Sequence, residues 1–153
     1  MIDVQSNYEL KAFQFVNLNR AKNSGVEMKI QASGFGDHIT GTFGYTYIDP
    51  IDLDTGRMLK YRSKHRIVTG LQLRFWKIII GWDYRYSSRI EEVEVYSGDE
   101  RVPMHVMDGR VIFDMGRLQF SIEGKNLRNY QYTLRERMLE PIRSYVFTLR
   151  GTF

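Results

Sequence analysis

The sequence predicts an all-β fold, an antiparallel up-and-down meander of about seven long strands. Three observations lead there. Apolar and polar residues alternate with period two through most of the chain, and helical periodicity is nearly absent. The connections between alternating stretches are by turns short and long, as in a meander with two unlike ends. Aromatic residues reach 14%, with ten Tyr and nine Phe, a bias that favours pleated structure.

The elements follow in order. Asn17 to Ala32 reads as the first long strand, with Val26, Met28, Ile30 and Ala32 on one side and Glu27, Lys29 and Gln31 on the other. A short turn at Ser33–Asp37 leads to Ile39, Gly41, Phe43, Tyr45 and Tyr47, alternating with threonines. Pro50 to Tyr61 reads as a longer loop. Ile67, Leu71, Leu73 and Phe75 then alternate with Arg66, Gln72 and Arg74. A tight turn near Phe75–Lys77 precedes Ile78, Ile80, Trp82, Tyr84 and Tyr86, set against Asp83 and Arg85. Arg89 to Val102 is a polar loop. Strands at Pro103–Phe113 and Arg117–Leu127 flank a turn at Asp114–Gly116. Asp108-Gly109 has hairpin-turn chemistry, but Val111 and Phe113 keep phase with Gly109 across it, so it is read as strand. Arg128 to Ile142 is the third long loop, and Arg143 to Phe153 the last strand, with Tyr145, Phe147, Leu149 and Phe153 on one side.

Alternation alone fits two opposite solutions. A soluble barrel or sandwich turns its apolar face inward; a transmembrane barrel turns it out to lipid and keeps a wet, polar lumen. Three features favour the membrane. The strands run about 10–16 residues, enough for a tilted bilayer crossing. Phe75, Trp76, Phe113 and Phe153 gather at the short-turn end, and Tyr45, Tyr47, Tyr84, Tyr86 and Tyr145 toward the long-loop end, as in the aromatic girdles of such barrels. Short connections on one side and long ones on the other match periplasmic turns and extracellular loops.

Composition excludes other classes. With no cysteine, disulfides and thiolate metal sites are ruled out. The net charge of +4 comes from scattered Lys and Arg without a basic stripe, so no nucleic-acid partner is expected. No apolar run approaches the length of about 18 residues that a membrane-spanning helix needs. MIDVQSNYEL lacks the basic start, apolar segment and cleavage site of a signal peptide. An enzyme is not expected. His38, His65 and His105 have no metal-pair spacing, no Gly-x-Ser-x-Gly occurs, and Gly34 to Gly41 fits no nucleotide-binding pattern. No cofactor or metal site is expected.

Four stretches, in order, carry a likeness to a known family: FVNLNRAKNSGVEMKI (Phe15–Ile30), the run from Phe43 to Phe75, LQFSIEGKNLRNYQY (Leu118–Tyr132) with its Asn126-Leu127 pair, and RSYVFTLRGTF at the end. Together they resemble the C-terminal part of the β-barrel of TonB-dependent outer-membrane receptors. Ser63 departs from the family pattern, which commonly has Pro before the His, without disturbing the register.

The resemblance implies that residues 1–153 form one partial domain, the C-terminal portion of a barrel of about 22 strands. The N-terminal plug, the TonB-contacting segment and the earlier strands have no counterpart in the sequence. Lipid cannot satisfy the two edges of an open seven-stranded sheet, which fits the same expectation. It further implies active import across a Gram-negative-type outer membrane of a ligand such as a siderophore, cobalamin or carbohydrate. The implied partners are outer-membrane lipid, the missing plug and strands, TonB through that plug, and the barrel assembly machinery. Arg66, Arg74, Asp83, Arg85, Arg110 and Arg150 would face the lumen; Tyr145, Phe147, Leu149 and Phe153 would serve closure and assembly. A small stand-alone outer-membrane barrel and a soluble ligand-binding β-barrel are the competing readings. The odd strand count and the missing signal peptide weigh against the first.

Overall fold

The computed structural model describes residues 2–7, 12–17, 20–93, 102–135 and 138–152. The strands are β1 (Ile2–Asn7), β2 (Ala12–Asn17), β3 (Ala21–Gly34), β4 (Ile39–Asp52), β5 (His65–Phe75), β6 (Ile78–Ser87), β7 (Met104–Asp114), β8 (Leu118–Lys125), β9 (Thr133–Arg135), β10 (Met138–Leu139) and β11 (Ser144–Gly151). Seven of them form one antiparallel sheet in the order β11-β8-β7-β6-β5-β4-β3. β1 and β2 make a separate two-stranded ladder, and β9 and β10 a second one inside the last long connection. The expected meander of seven strands is therefore present. The sheet is not closed, with β3 and β11 at its edges.

Three boundaries differ from expectation. Asn17 ends β2, and the first long strand starts at Ala21, where it meets Asp52. The connection expected at 128–142 carries the β9–β10 ladder. β4 continues through Pro50, where a loop was expected. The Pro50 carbonyl accepts the Leu59 N–H at 2.8 Å. In a strand, N and O of one residue point the same way, so the missing Pro N–H lies on the loop side and breaks no bond to β3.

Register makes the two faces continuous across strands. Tyr47 lies opposite His65, and Tyr86 opposite His105. One row passes from Leu71 through Trp82, Gly109 and Gly124 to Tyr145. Others pass from Leu73 through Ile80, Val111 and Ile122 to Phe147, and from Phe75 through Ile78, Phe113 and Phe120 to Leu149. From Phe75 to His65 the strand rises about 33 Å; at a tilt of about 40° the band stands about 25 Å tall. That is the height of the apolar belt on a membrane barrel. Among the described residues no second layer covers it, and the buried hydrophobics are Leu59 and Val106. Asp108-Gly109 lies within β7, as its phase requires. Gly109 stays small because the Leu127 side chain lies against it, and a Cβ there would meet Leu127 at 3.1 Å.

The short ends are tight. β5 and β6 are joined by Trp76-Lys77 alone, with Phe75 paired to Ile78. Trp76 adopts φ 51° and Phe35, in the first short turn, φ 53°. Both are left-handed conformations that favour glycine and cost a bulky residue about 1–2 kcal/mol.

Candidate functional site

The candidate site is the charged face of the sheet together with the long-loop end above it. Arg66, Arg74, Asp83, Arg85, Arg110 and Arg150 all fall on that face by register. The structure brings three of them together. Asp83 on β6 lies directly opposite Asp108 on β7. Like charges so placed repel, and each is met by an arginine from across the ladder. Arg85 Nη2 donates to Asp108 at 2.7 Å, and Arg110 Nη1 to Asp83 at 3.3 Å. Arg110 also reaches Gln72 Oε1 at 3.5 Å. The result is a reciprocal quartet from two copies of Asp-x-Arg, Asp83–Arg85 and Asp108–Arg110.

Glycines make room for it. A Cβ on Gly81 would meet Arg110 Nε at 2.7 Å, and one on Gly70 would meet Thr42 Oγ1 at 2.7 Å and Asp83 Oδ1 at 3.0 Å. Asp108 has a second duty: its Oδ1 accepts the Asn126 backbone N–H at 2.8 Å. Its importance was not drawn from the sequence, although the repeated Asp-x-Arg pattern carried the signal.

Arg66, Arg74 and Arg150 stand apart and form no ion pair with described residues. Arg66 borders a shallow depression with Glu27, Lys29 and Thr46. Arg150 lies opposite Gln119 near the sheet edge. Tyr145, Phe147 and Leu149 sit on the apolar face of the edge strand β11, with Phe147 67% and Leu149 72% exposed. Phe153 lies outside the described residues.

The long-loop end is built from two like constellations. Tyr45 and His65 Nδ1 are hydrogen-bonded at 2.9 Å, and Tyr84 and His105 Nδ1 at 3.0 Å. In each case a second tyrosine faces the imidazole, Tyr47 at 5.2 Å and Tyr86 at 5.1 Å between ring centres. Tyr130 adds an edge-on ring against His105 at 5.5 Å. Each ladder thus places a Tyr-x-Tyr beside a His of the neighbouring strand, which satisfies polar ring atoms in the aromatic belt. Both histidines are hydrogen-bonded residues of the belt.

Above the belt the loops are tied down. Asp52 accepts the Asp54 N–H and the Thr55 hydroxyl, both at 2.9 Å, and these donors hold its carboxyl below its usual pKa. Lys64 pairs with Glu91 at 2.8 Å, which raises the pKa of its ammonium. The Tyr61 N–H donates to the Glu92 carbonyl at 2.9 Å, joining the first long loop to the second. Asn126, buried and at φ 48°, organises the third. Its amide donates to the Tyr130 carbonyl at 2.9 Å and the Pro141 carbonyl at 3.2 Å, and its oxygen accepts the Tyr130 N–H at 2.9 Å. Burial raises the phenol pKa of Tyr132 in this loop.

A single long-stranded sheet with one ionic face, one uncovered apolar face and unlike ends defines the class: the wall of an up-and-down β-barrel. The family model described as TonB dependent receptor-like, beta-barrel matches residues 1–135. The chain belongs to that family, whose members are outer-membrane receptors and transporters of Gram-negative bacteria rather than enzymes. Its fold is similar to that of the copper transporter OprC, with a TM-score of 0.80 at 15% identity over 99% of this chain and 27% of that one. It is also similar to the ferric-catecholate import receptor Fiu from E. coli K12 in its closed form, with a TM-score of 0.72 at 16% identity over 99% of this chain and 23% of that one. The chain thus spans about a quarter of the length of either structure. No curated protein matches it in sequence.

Proposed function

We propose that the chain forms the C-terminal part of the barrel wall of an outer-membrane, TonB-dependent importer. Its apolar face meets lipid and its charged face lines a water-filled lumen. The observation that carries this reading is the register-wide segregation of faces: an uncovered apolar band about 25 Å tall, bounded by aromatic rings, backed by an ionic face.

In this role Arg66, Arg74, Asp83, Arg85, Arg110 and Arg150 face the lumen. The Asp83–Arg85–Asp108–Arg110 quartet is saturated by its own contacts and stiffens the wall. Lys29, Arg66 and Arg74 remain open to carboxylates of a plug or of an anionic ligand. The three long connections form the outer rim, which would meet a ligand such as a siderophore, cobalamin or carbohydrate. A plug engaged by TonB would supply the energy coupling. Tyr145, Phe147 and Leu149, with Phe153, supply the apolar row on the strand that closes the barrel and is read by the assembly machinery. Further strands pair the edges at β3 and β11, since lipid cannot satisfy them.

Single cysteines test the orientation, because the chain has none of its own. In the membrane-embedded protein, Arg66→Cys and Arg74→Cys are expected to react with a charged, water-soluble maleimide, while Ile80→Cys and Phe147→Cys react only after detergent is added. The opposite labelling pattern would sink the reading.

A further inference from the structure

Two valines on one cross-strand row of the charged face meet different surroundings. Val68 on β5 lies opposite Arg85 on β6, and Arg85 lies opposite Val106 on β7. Val68 is 38% exposed, as a single uncovered sheet leaves it, but Val106 is 3% exposed. The third long connection supplies the cover. It leaves β8 beside Met107, whose carbonyl accepts the Leu127 N–H at 2.8 Å. Further along, Tyr132 is half-buried. After burial and Glu140, the groups that act on its phenol are Arg85 and Asp108. These two flank Val106 on the charged face, one across the ladder and one two residues on. The Glu140 N–H donates to the Tyr132 carbonyl at 3.1 Å, so the two arms of the connection lie together. The chain here folds inward over the charged face instead of standing up from the rim.

The inward fold is fastened at its root. Asn126 ties the Tyr130 carbonyl of one arm to the Pro141 carbonyl of the other. The Asn129 side-chain oxygen accepts the Arg143 N–H at 3.0 Å, and the Tyr130 hydroxyl donates to the Pro103 carbonyl at 2.9 Å. Beyond the root, Leu134, Met138 and Leu139 stay exposed. A segment held at its root with few buried contacts beyond it opens as a unit. That root is tied to the charged face by one carboxylate. Asp108 gives Oδ1 to the Asn126 N–H and Oδ2 to Arg85. Asp83 stands directly opposite and repels it. Arg85 offsets that repulsion, so without Arg85 the Asp108 carboxylate turns away from Asp83 and lets the Asn126 N–H go.

We propose that the two arms, residues 126–134 and 138–142, form a lid seated on the lumen face over Val106, latched through Asn126 to Asp108 and kept shut by the Arg85 ion pair. An ion pair inside the barrel then sets the position of a loop at its rim. The proposal rests on the lumen-facing reading of the charged face and extends it to the movement of the third long connection.

The two valines allow the lid and the wall to be tested apart. Val68→Cys and Val106→Cys are made singly in the chain, which has no cysteine of its own. The membrane-embedded receptor is then treated with a charged, water-soluble maleimide. Val68→Cys is expected to react, and Val106→Cys to react about tenfold more slowly. Equal rates at the two positions would overturn the lid and leave the wall reading intact. Silence at both would overturn the lumen-facing reading and the lid together. The latch is tested in two further backgrounds. Asn126→Asp keeps the acceptor for the Tyr130 N–H, loses both amide donors and sets a second carboxylate beside Asp108. It is expected to speed labelling of Val106→Cys about tenfold, to near the Val68→Cys rate. Arg85→Gln touches nothing in the connection's root and is expected to speed it about threefold. In both backgrounds Ile80→Cys is expected to need detergent still, which marks the sheet as folded. A Val106→Cys rate that Arg85→Gln leaves unchanged would cut the ion pair out of the latch and overturn the coupling.

Discussion

The two halves of the charged face have solved the same problem differently. On β6, β7, β8 and β11 the face carries Arg85, Arg110, Lys125 and Arg150 against Asp83, Asp108, Asp114 and Glu123, a balanced set. Most of these find one another: Arg85 with Asp108, Arg110 with Asp83, and Lys125 with Glu123 at 4.0 Å. On β3, β4 and β5 the face carries Lys29, Arg66 and Arg74 against Glu27 and, at the loop end of β4, Asp52, and none of them forms an ion pair with a described residue. One half is complete within the sheet. The other holds cationic valence that the sheet leaves unused. A wall built this way can be rigid on one side and receptive on the other, because side-chain charges bind a newcomer only where they are not already saturated.

The sharpest way to break the difference is to remove Asp108. Its side chain is 18% exposed, and it serves both Arg85 and the Asn126 N–H. Asp108→Ala strands a partly desolvated guanidinium and a backbone donor at the start of the third long loop. A loss of about 2 kcal/mol is expected, from a neglected donor plus a screened ion pair. Urea unfolding of the protein in detergent, followed by tyrosine fluorescence, reads it. A change no larger than that of Arg66→Gln would show that the quartet is not a stabilising unit.

Next in size is the space beneath Arg110. In Gly81→Ala the new methyl meets the flexible Arg110 side chain rather than backbone, so the guanidinium is pushed off Asp83. Asp83 and Asp108 then face each other with one arginine fewer. The expected cost is about 1 kcal/mol, and it should vanish when Arg110 is already glutamine. A double-mutant cycle measures that coupling; additivity of the two changes would mean that Gly81 is not small for the sake of Arg110.

How much of this could be read without coordinates follows from what kind of signal each feature leaves. Strands leave period two, so all seven of the sheet, and the face each residue takes, could be assigned from residues such as Val26–Ala32 or Ile78–Tyr86. Phase alone also placed Asp108-Gly109 within a strand against its turn chemistry. The charge candidates Asp83, Arg85 and Arg110 were found because charges in mid-strand are unusual, but their pairing depends on Asp83 meeting Asp108, and register is set by connection lengths that the long loops conceal. Asn126 left no trace as a buried residue, since its burial arises from the fold of a connection. The β1–β2 ladder leaves too weak a signal to read, because its strands are short, six residues each, and the alternation at Asn17 runs on into that of β3.

The loops above the two halves sharpen the comparison through pH. The Asp52 carboxyl is held below its usual pKa by the Asp54 N–H and the Thr55 hydroxyl. Its contribution is therefore complete above the unfolded value of about 4 and is lost as pH falls through the lowered folded value. Lys64 is raised by Glu91, so its contribution is complete below the unfolded value of about 10.4 and is lost as pH rises through the raised one. Between about pH 5 and 9 neither group titrates. Protease cleavage after Arg57 should thus hold one rate across that window, quicken below it as the Asp52 contacts are lost, and quicken above it only as the Lys64–Glu91 pair is lost. A step between pH 6 and 7 would point to histidine instead and remove both contacts from the account.

The smallest effect is expected in the unsaturated half, and it is the most telling. Arg66→Gln and Lys29→Gln remove charges without an ion-pair partner among the described residues, so unfolding free energy should stay within about 0.5 kcal/mol. Removing one cation from a net-positive patch even relieves repulsion, so a slight gain is the more natural sign. The functional consequence runs the other way. If Lys29 and Arg66 meet carboxylates that belong to a plug or ligand, uptake or ligand binding by the intact receptor should weaken in these variants and be more sensitive to salt, while Arg85→Gln weakens the fold first. A stability loss at Arg66 as large as that at Arg85 would erase the distinction between the two halves.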